Sequence, residues 1–505
     1  MSPENTSALR WAIHRIAPTI PFSVPLCLCG KSFRTGPDAR PSFDVRLRKV
    51  LSSDCLSNVS FLRKHVKEPA VKRLFDYPEP VEGWDLAINR YATQKVEFGA
   101  RGVAEKVAEI EALLTRKIAE LDALPNDPEL EAAEPDDLAA IKALRPPGSR
   151  RLLTTLPEDF RDKLEGAWLT RCAGCTLGSI VEGWKVDRME AWAEYIGDAF
   201  PLVDYWSQAE QPHLPRLKMS VRHDYTPAKM DGVPSDDDLN YTLLGLLVLE
   251  EYGPDFTVED IGAAWVEYLP FAFTAEGVAL ENLRNGVPAM QAGALNNPCQ
   301  NYIGADIRSD PWGYAAPGWP EKAAEMAWRD AMISHRRNGI FSAMYWSAAI
   351  AAAFAVDDPM DALRIGLEEI PTDCITAREI RWALEKAPSI SGYKDAAALC
   401  EERYPGLWKS HSIQNNALTV WGLAVGGADC TKVIGETVSM GQDNDCTAAT
   451  AGSVFGAVYG AGAIPEHWTR NFNNKIHCYL NGHPTFALDD VVDRFVAQAE
   501  QVMAG

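Results

Sequence analysis

Apolar residues recur at helical spacing in long stretches of this chain, and from about residue 151 onward no stretch alternates apolar and polar residues as a half-buried strand would. Between 99 and 124, Val103, Val107, Ile110, Leu113, Leu114, Ile118 and Leu121 mark one face of an amphipathic helix. Thr155 and Glu158, with Pro157 between them, predict a capped helix running from Pro157 towards Ser179. Leu243 to Leu249, Ala324 to Ile340 and Asn415 to Val425 predict further helices. Phe341 to Val356 is apolar on every side and Ala-rich, which predicts a buried helix and is short for a membrane span. Gly452, Gly456 and Gly460 recur every fourth residue and so share one helix face. A face without side chains admits another backbone at close range. The expected fold is all-α, preceded by a smaller N-terminal region.

Punctuation divides the chain. Pro125, the acidic stretch 126–137 and the run Arg145 to Arg151 with Pro146, Pro147 and Gly148 predict a linker. The expected parts are 1–98, of unknown role; 99–150, an amphipathic helix and linker; and 151–505, the main helical domain. The basic stretch at 61–75 reads as a solvated helix face or a partner contact.

Composition narrows the function. A net charge of −21 argues against general nucleic-acid binding. Eleven cysteines, an odd number without a disulfide framework, predict a reducing, cytoplasmic setting. Cys172 and Cys175 form a CxxC with no second pair, and Cys27 and Cys29 are equally uninformative. Pro21 and Pro25 break the early apolar stretch, so no signal peptide is expected.

The chemistry concentrates in two acidic runs. Asp236, Asp237 and Asp238 precede the helix at Leu243, and Asp443 and Asp445 precede the glycine-spaced helix. One acid at a helix start is a favoured cap. Three adjacent ones repel each other unless solvated or bound to a cation, and hard divalent cations take oxygen ligands. The two runs together predict a metal site. Glu182 follows a helix that carries Gly174 and Gly178 on one face. Gly304, Ala305 and Arg308 lie in a turn-rich segment, where Trp312 and Tyr314 could stack on a flat ring. His335 lies near a predicted helix end, as a cap or a polar ligand contact.

These residues together resemble the ADP-ribosylglycohydrolase family over about 160–475. A first motif matches Gly166 and Ala167 through Gly178, followed by Glu182. A second matches Ser235-Asp236-Asp237, a third is loosely matched by Ile303 to Arg308, and a fourth matches Gly441 to Ala448, ending at Ile464, Pro465 and Trp468. The resemblance implies a compact orthogonal helical bundle with two Mg²⁺ ions, or Mn²⁺, in a cleft that receives the ribose of an ADP-ribosylated protein or small ADP-ribosyl compound. Ser235, Asp236, Asp237, Asp443, Asp445 and Cys446 are the implied ligands, with Asp238 a further one. Glu182, Asp237 and Asp443 are the implied proton-handling residues. Gly304, Ala305, Arg308, Trp312 and His335 are the implied substrate contacts. The chain departs from the pattern where Cys175 replaces Asp and where Asp238 and Cys446 replace Thr. These departures leave open a non-catalytic member that binds ADP-ribose.

Overall fold

A computed structural model describes residues 72–75, 77–78, 83–209 and 223–504. Apart from 72–75, the basic stretch at 61–75 lies outside them, as do Cys27 and Cys29. Twenty α-helices and one pair of two-residue strands, Ile476–His477 against Thr485–Phe486, make the described residues all-α, as expected. Among the described residues no helix is long and apolar enough to cross a membrane.

Two helices stand apart from the rest. Helices α1 (Trp84–Glu97) and α2 (Val103–Asp122) form a hairpin in which no residue is buried. The expected periodicity is present, yet Leu113, Leu114, Ile118 and Leu121 remain exposed. Pairs such as Lys106 with Glu109, 2.7 Å apart, support α2 from its own surface.

The stretch expected to be a linker is instead docked. It carries short helices at Pro128–Ala133 and Leu138–Leu144, and Ile141 is fully buried. Glu134 accepts from Asn338 Nδ2 at 2.8 Å and from the Ile375 amide at 2.9 Å, and pairs with Arg337 at 2.6 Å. Arg145 pairs with the fully buried Glu369 and with Glu321. These partners lie roughly 180 to 240 residues away in the chain, so local composition gives no sign of them.

The body is built on helices that read as apolar all round. Helix α3 (Phe160–Gly178) begins three residues later than expected. Leu152 and Leu153 both donate to the Gly318 carbonyl, which ties the chain down ahead of the helix, and Asp159 rather than Thr155 occupies the cap position. Helix α4 (Asp237–Tyr252) follows the first acidic run. Every residue of α5 (Asn338–Ala353) is buried, as its lack of a polar stripe requires. Helix α6 (Ser412–Gly426) lies between α5 and the last pair, α7 (Cys430–Ser439) and α8 (Asn444–Tyr459).

Helices α3 and α8 meet backbone to backbone. A Cβ on Gly456 would overlap the main chain of Gly166, and one on Gly452 would lie 2.6 Å from the Thr170 carbonyl oxygen. Farther along the same seam, a Cβ on Gly178 would overlap the backbone of Asp445. The glycine spacing read from the sequence thus brings the end of α3 against the start of α8, where the second acidic run lies.

Candidate active site

Three chain segments converge at one place: the end of α3, the start of α4 and the start of α8. The donor atoms of Cys175, Asp236 and Asp238 lie within 4.8 Å of one another, and so do those of Asp238, Asp445 and Cys446. Asp238 belongs to both groups and so joins them. The two acidic runs, just over two hundred residues apart in sequence, form one cluster.

Local bonds fix the cluster. Asp236 caps α4, its Oδ1 accepting from the Asp238 amide at 3.4 Å, and its Oδ2 accepts from Ser179 Oγ at 2.8 Å. Cys446 Sγ donates to Asp238 Oδ2 at 3.3 Å. The Asp443 amide donates to Asn415 Oδ1 at 3.3 Å. Ser235 Oγ accepts from Asn240 Nδ2 at 3.0 Å. Two oxygens are left over: Asp238 Oδ1 and Asp445 Oδ1 are buried with no hydrogen-bond partner. A buried carboxylate oxygen without a donor carries the full desolvation cost.

The field at the cluster is strongly acidic. Burial, then the neighbouring carboxylates, push Asp237, Asp238 and Asp445 well above the usual carboxylate range. Burial and Glu182 push Asp443 up to about 6, against the pull of Lys409. The nearby Arg171 supplies little relief. It is fully buried and sends its guanidinium to Asp310, 2.7 Å away, to the carbonyls of Asp238 and Ile307, and to Thr242. A divalent cation would neutralise these acids and occupy the free oxygens, so the residues present fit one.

Glu182 stands half-exposed beside the cluster, paired with Lys409 Nζ. Burial alone would lower the Lys409 pKa, but Glu182, Asp443 and Asp445 hold it above the ordinary lysine value. The sequence reading did not find Lys409, nor Asn415 and Ser179. Lys409 sits alone in a loop, and only the fold carries it to the acids. Asn415 secures that loop by donating to the Lys409 carbonyl at 2.7 Å.

The remaining expected contacts are drawn into the interior. Gly304 and Ala305 are buried in a turn of 3₁₀ helix, Ile303–Arg308, and a Cβ on Gly304 would overlap the Glu276 carboxylate. Arg308 is 2% exposed, bonded to Glu276 at 2.5 Å, Asp330 at 2.7 Å, Ser334 at 2.9 Å and the Gly304 carbonyl at 2.9 Å. Its donors are therefore spent inside the protein. Trp312 is 1% exposed and packs on Phe256, with ring centroids 4.8 Å apart. His335 is fully buried, its Nδ1 2.8 Å from Ser334 Oγ, and burial beside Arg308 holds it neutral. Arg308 approaches the cluster only through Glu276, whose charge adds to the field at Asp237.

Among curated proteins none matches the chain significantly. A solved ADP-ribosylglycohydrolase-related protein complex is similar at 20% identity, covering 68% of this chain and 99% of its own, with a TM-score of 0.46. The sequence profile of the ADP-ribosylglycohydrolases matches residues 156–502, a span that opens just before α3 and takes in both acidic runs and the glycine seam. That match covers well over half of the sequence, and the chain belongs to the ADP-ribosylglycohydrolase family.

Proposed function

We propose that the protein is a metal-dependent hydrolase that cleaves the glycosidic bond between ADP-ribose and a modified protein side chain or a small ADP-ribosyl compound. Membership of a glycohydrolase family gives the broad class. The observation that carries the reading further is the joined cluster, with two buried carboxylate oxygens left without partners. Asp236, Asp238, Asp445 and Cys446 would hold divalent cations there, with Ser235, Asp237 and Asp443 beside them. A divalent cation held there would supply Lewis acidity, orienting the ribose hydroxyls and water while the anomeric carbon gains positive character. The resemblance assigns Mg²⁺, or Mn²⁺, to this place. The oxygen donors suit either ion, whereas the two thiols suit neither.

The chain's own residues supply proton handling and shape. Glu182, half-exposed and held by Lys409, is placed to exchange a proton with water at the cluster. Asp443, with its proton affinity raised towards neutrality, and Asp237 are the other groups able to do so. The test is a panel of arginine-, serine- and nucleotide-linked ADP-ribose, each with added divalent cation and with chelator. Release of ADP-ribose that chelator abolishes is expected, and no release from any linkage would overturn the proposal.

A second reading rests on Cys175 and Cys446, which replace oxygen side chains of the family pattern. In it the protein binds ADP-ribose without turnover. Calorimetry with ADP-ribose beside the same panel separates the two, since binding without release favours the second.

A further inference from the structure

We infer that the cluster is a mixed thiol–carboxylate cation site, which takes a borderline divalent cation such as Zn²⁺, Co²⁺ or Fe²⁺ in preference to Mg²⁺. The inference rests on the proposed cation site and concerns the donors that are particular to this chain. Each of the two donor groups contains one sulfur: Cys175 with Asp236 and Asp238, and Cys446 with Asp238 and Asp445. Both cysteines are buried, and neither is in a disulfide. Cys446 Sγ donates to Asp238 Oδ2 at 3.3 Å, so the sulfur stands beside that carboxylate.

The unpartnered atoms point to a ligand independently of the sulfurs. Asp238 is 1% exposed and Asp445 is 4% exposed, and each leaves one oxygen without a donor. Donors around a tetrahedral Zn²⁺ stand about 3.5 Å apart, from bond lengths of roughly 2.0 to 2.3 Å. Groups whose donors already lie within 4.8 Å of each other need only side-chain adjustment to reach that spacing. Mg²⁺ asks for near-octahedral oxygen and gives up water reluctantly, so a buried thiol in its coordination sphere is a poor donor. Sulfur with carboxylate oxygen suits Zn²⁺ and its neighbours in the transition series.

Binding is a simple exchange. The S–H bonds of Cys446 and Cys175 break, their protons pass to water, and a lone pair of each sulfur forms the bond to the cation. Asp238 Oδ2 loses the thiol hydrogen bond and gains the cation in its place. Sulfur and metal keep their oxidation states.

The experiment is a titration of the full chain, stripped with chelator, with Co²⁺ alone. Metal uptake is followed by calorimetry, and sulfur ligation by the thiolate-to-cobalt charge-transfer band in the near ultraviolet. Wild type is expected to bind Co²⁺ and develop the band. Cys446→Thr and Cys175→Ser are each expected to weaken it, and the double variant to lose it while still binding Co²⁺. Cys446→Thr is also expected to lower the ratio of Zn²⁺ to Mg²⁺ affinity at least tenfold. Cys446→Ala, with unchanged far-ultraviolet circular dichroism, guards against a folding defect. Co²⁺ uptake by wild type without the band would overturn sulfur ligation and leave the hydrolase reading standing. Failure to take up Co²⁺ at all would overturn the cation site on which both proposals rest.

Discussion

The hairpin of α1 and α2 and the seam of α3 and α8 are opposite ways to make a helix stable. In the hairpin every residue is at least partly wet, and the helix lives on propensity and surface ion pairs. In the seam nearly every residue is buried, and glycine, a poor helix former, is chosen because it leaves room for a second backbone. The hairpin therefore tolerates change, whereas the seam sets the positions of catalytic candidates. A clear amphipathic pattern marked the region that holds no site residue. The site lies where the pattern is weakest.

The contrast can be broken first at the seam. Gly456→Leu would drive a side chain into the Gly166 backbone, and a loss of at least about 4 kcal/mol, or no folded protein, is expected by chemical denaturation. A stable variant would show that the backbones are not in contact. The docked strap should come next. Arg145→Ala leaves the fully buried Glu369 with Arg150 alone, 3.1 Å away, and about 3 kcal/mol should be lost. If the strap is merely a linker, the change is silent.

The acid cluster gives a smaller effect with a definite sign. Asp443 takes up a proton more readily folded than unfolded, its pKa rising from 3.8 to about 6. In chelator-treated protein its contribution to stability is fully present below about pH 4 and is lost as pH rises through about 6. The melting temperature should therefore fall over that window, and saturating divalent cation should remove the fall. A flat profile without metal would count against the buried, unneutralised cluster. Least of all should come from the hairpin. Leu121 is 68% exposed, and Leu121→Ser should shift stability by no more than about 0.5 kcal/mol. A large loss would mean that α2 has a partner.

What the sequence disclosed follows the same division. Asp236, Asp237 and Asp238, and likewise Asp443 and Asp445, were legible because like charges next to each other demand an explanation within a few residues. The glycine spacing was legible because it is periodic. Lys409 was not, since its meaning depends on Glu182, 227 positions away. Arg308 was expected at the substrate because the loosely matched third motif implied it, and the acids that bind it, Glu276 and Asp330, come from other helices. The strap failed for the same reason, its proline and acid content masking the partners of Glu134 and Arg145. Thr155 and Glu158 formed a plausible local start signal, which the tie to Gly318 overrode.

The seam carries one more implication. Because Gly178 lets main chain lie against main chain, the spacing between the helix bearing Cys175 and the helix bearing Cys446 is set by the polypeptide itself and not by rotamers. Exchanging sulfur for oxygen at either rail would alter what the cluster prefers without altering its dimensions. Such a frame can be retuned one donor at a time, its chemistry changing while its architecture stays still.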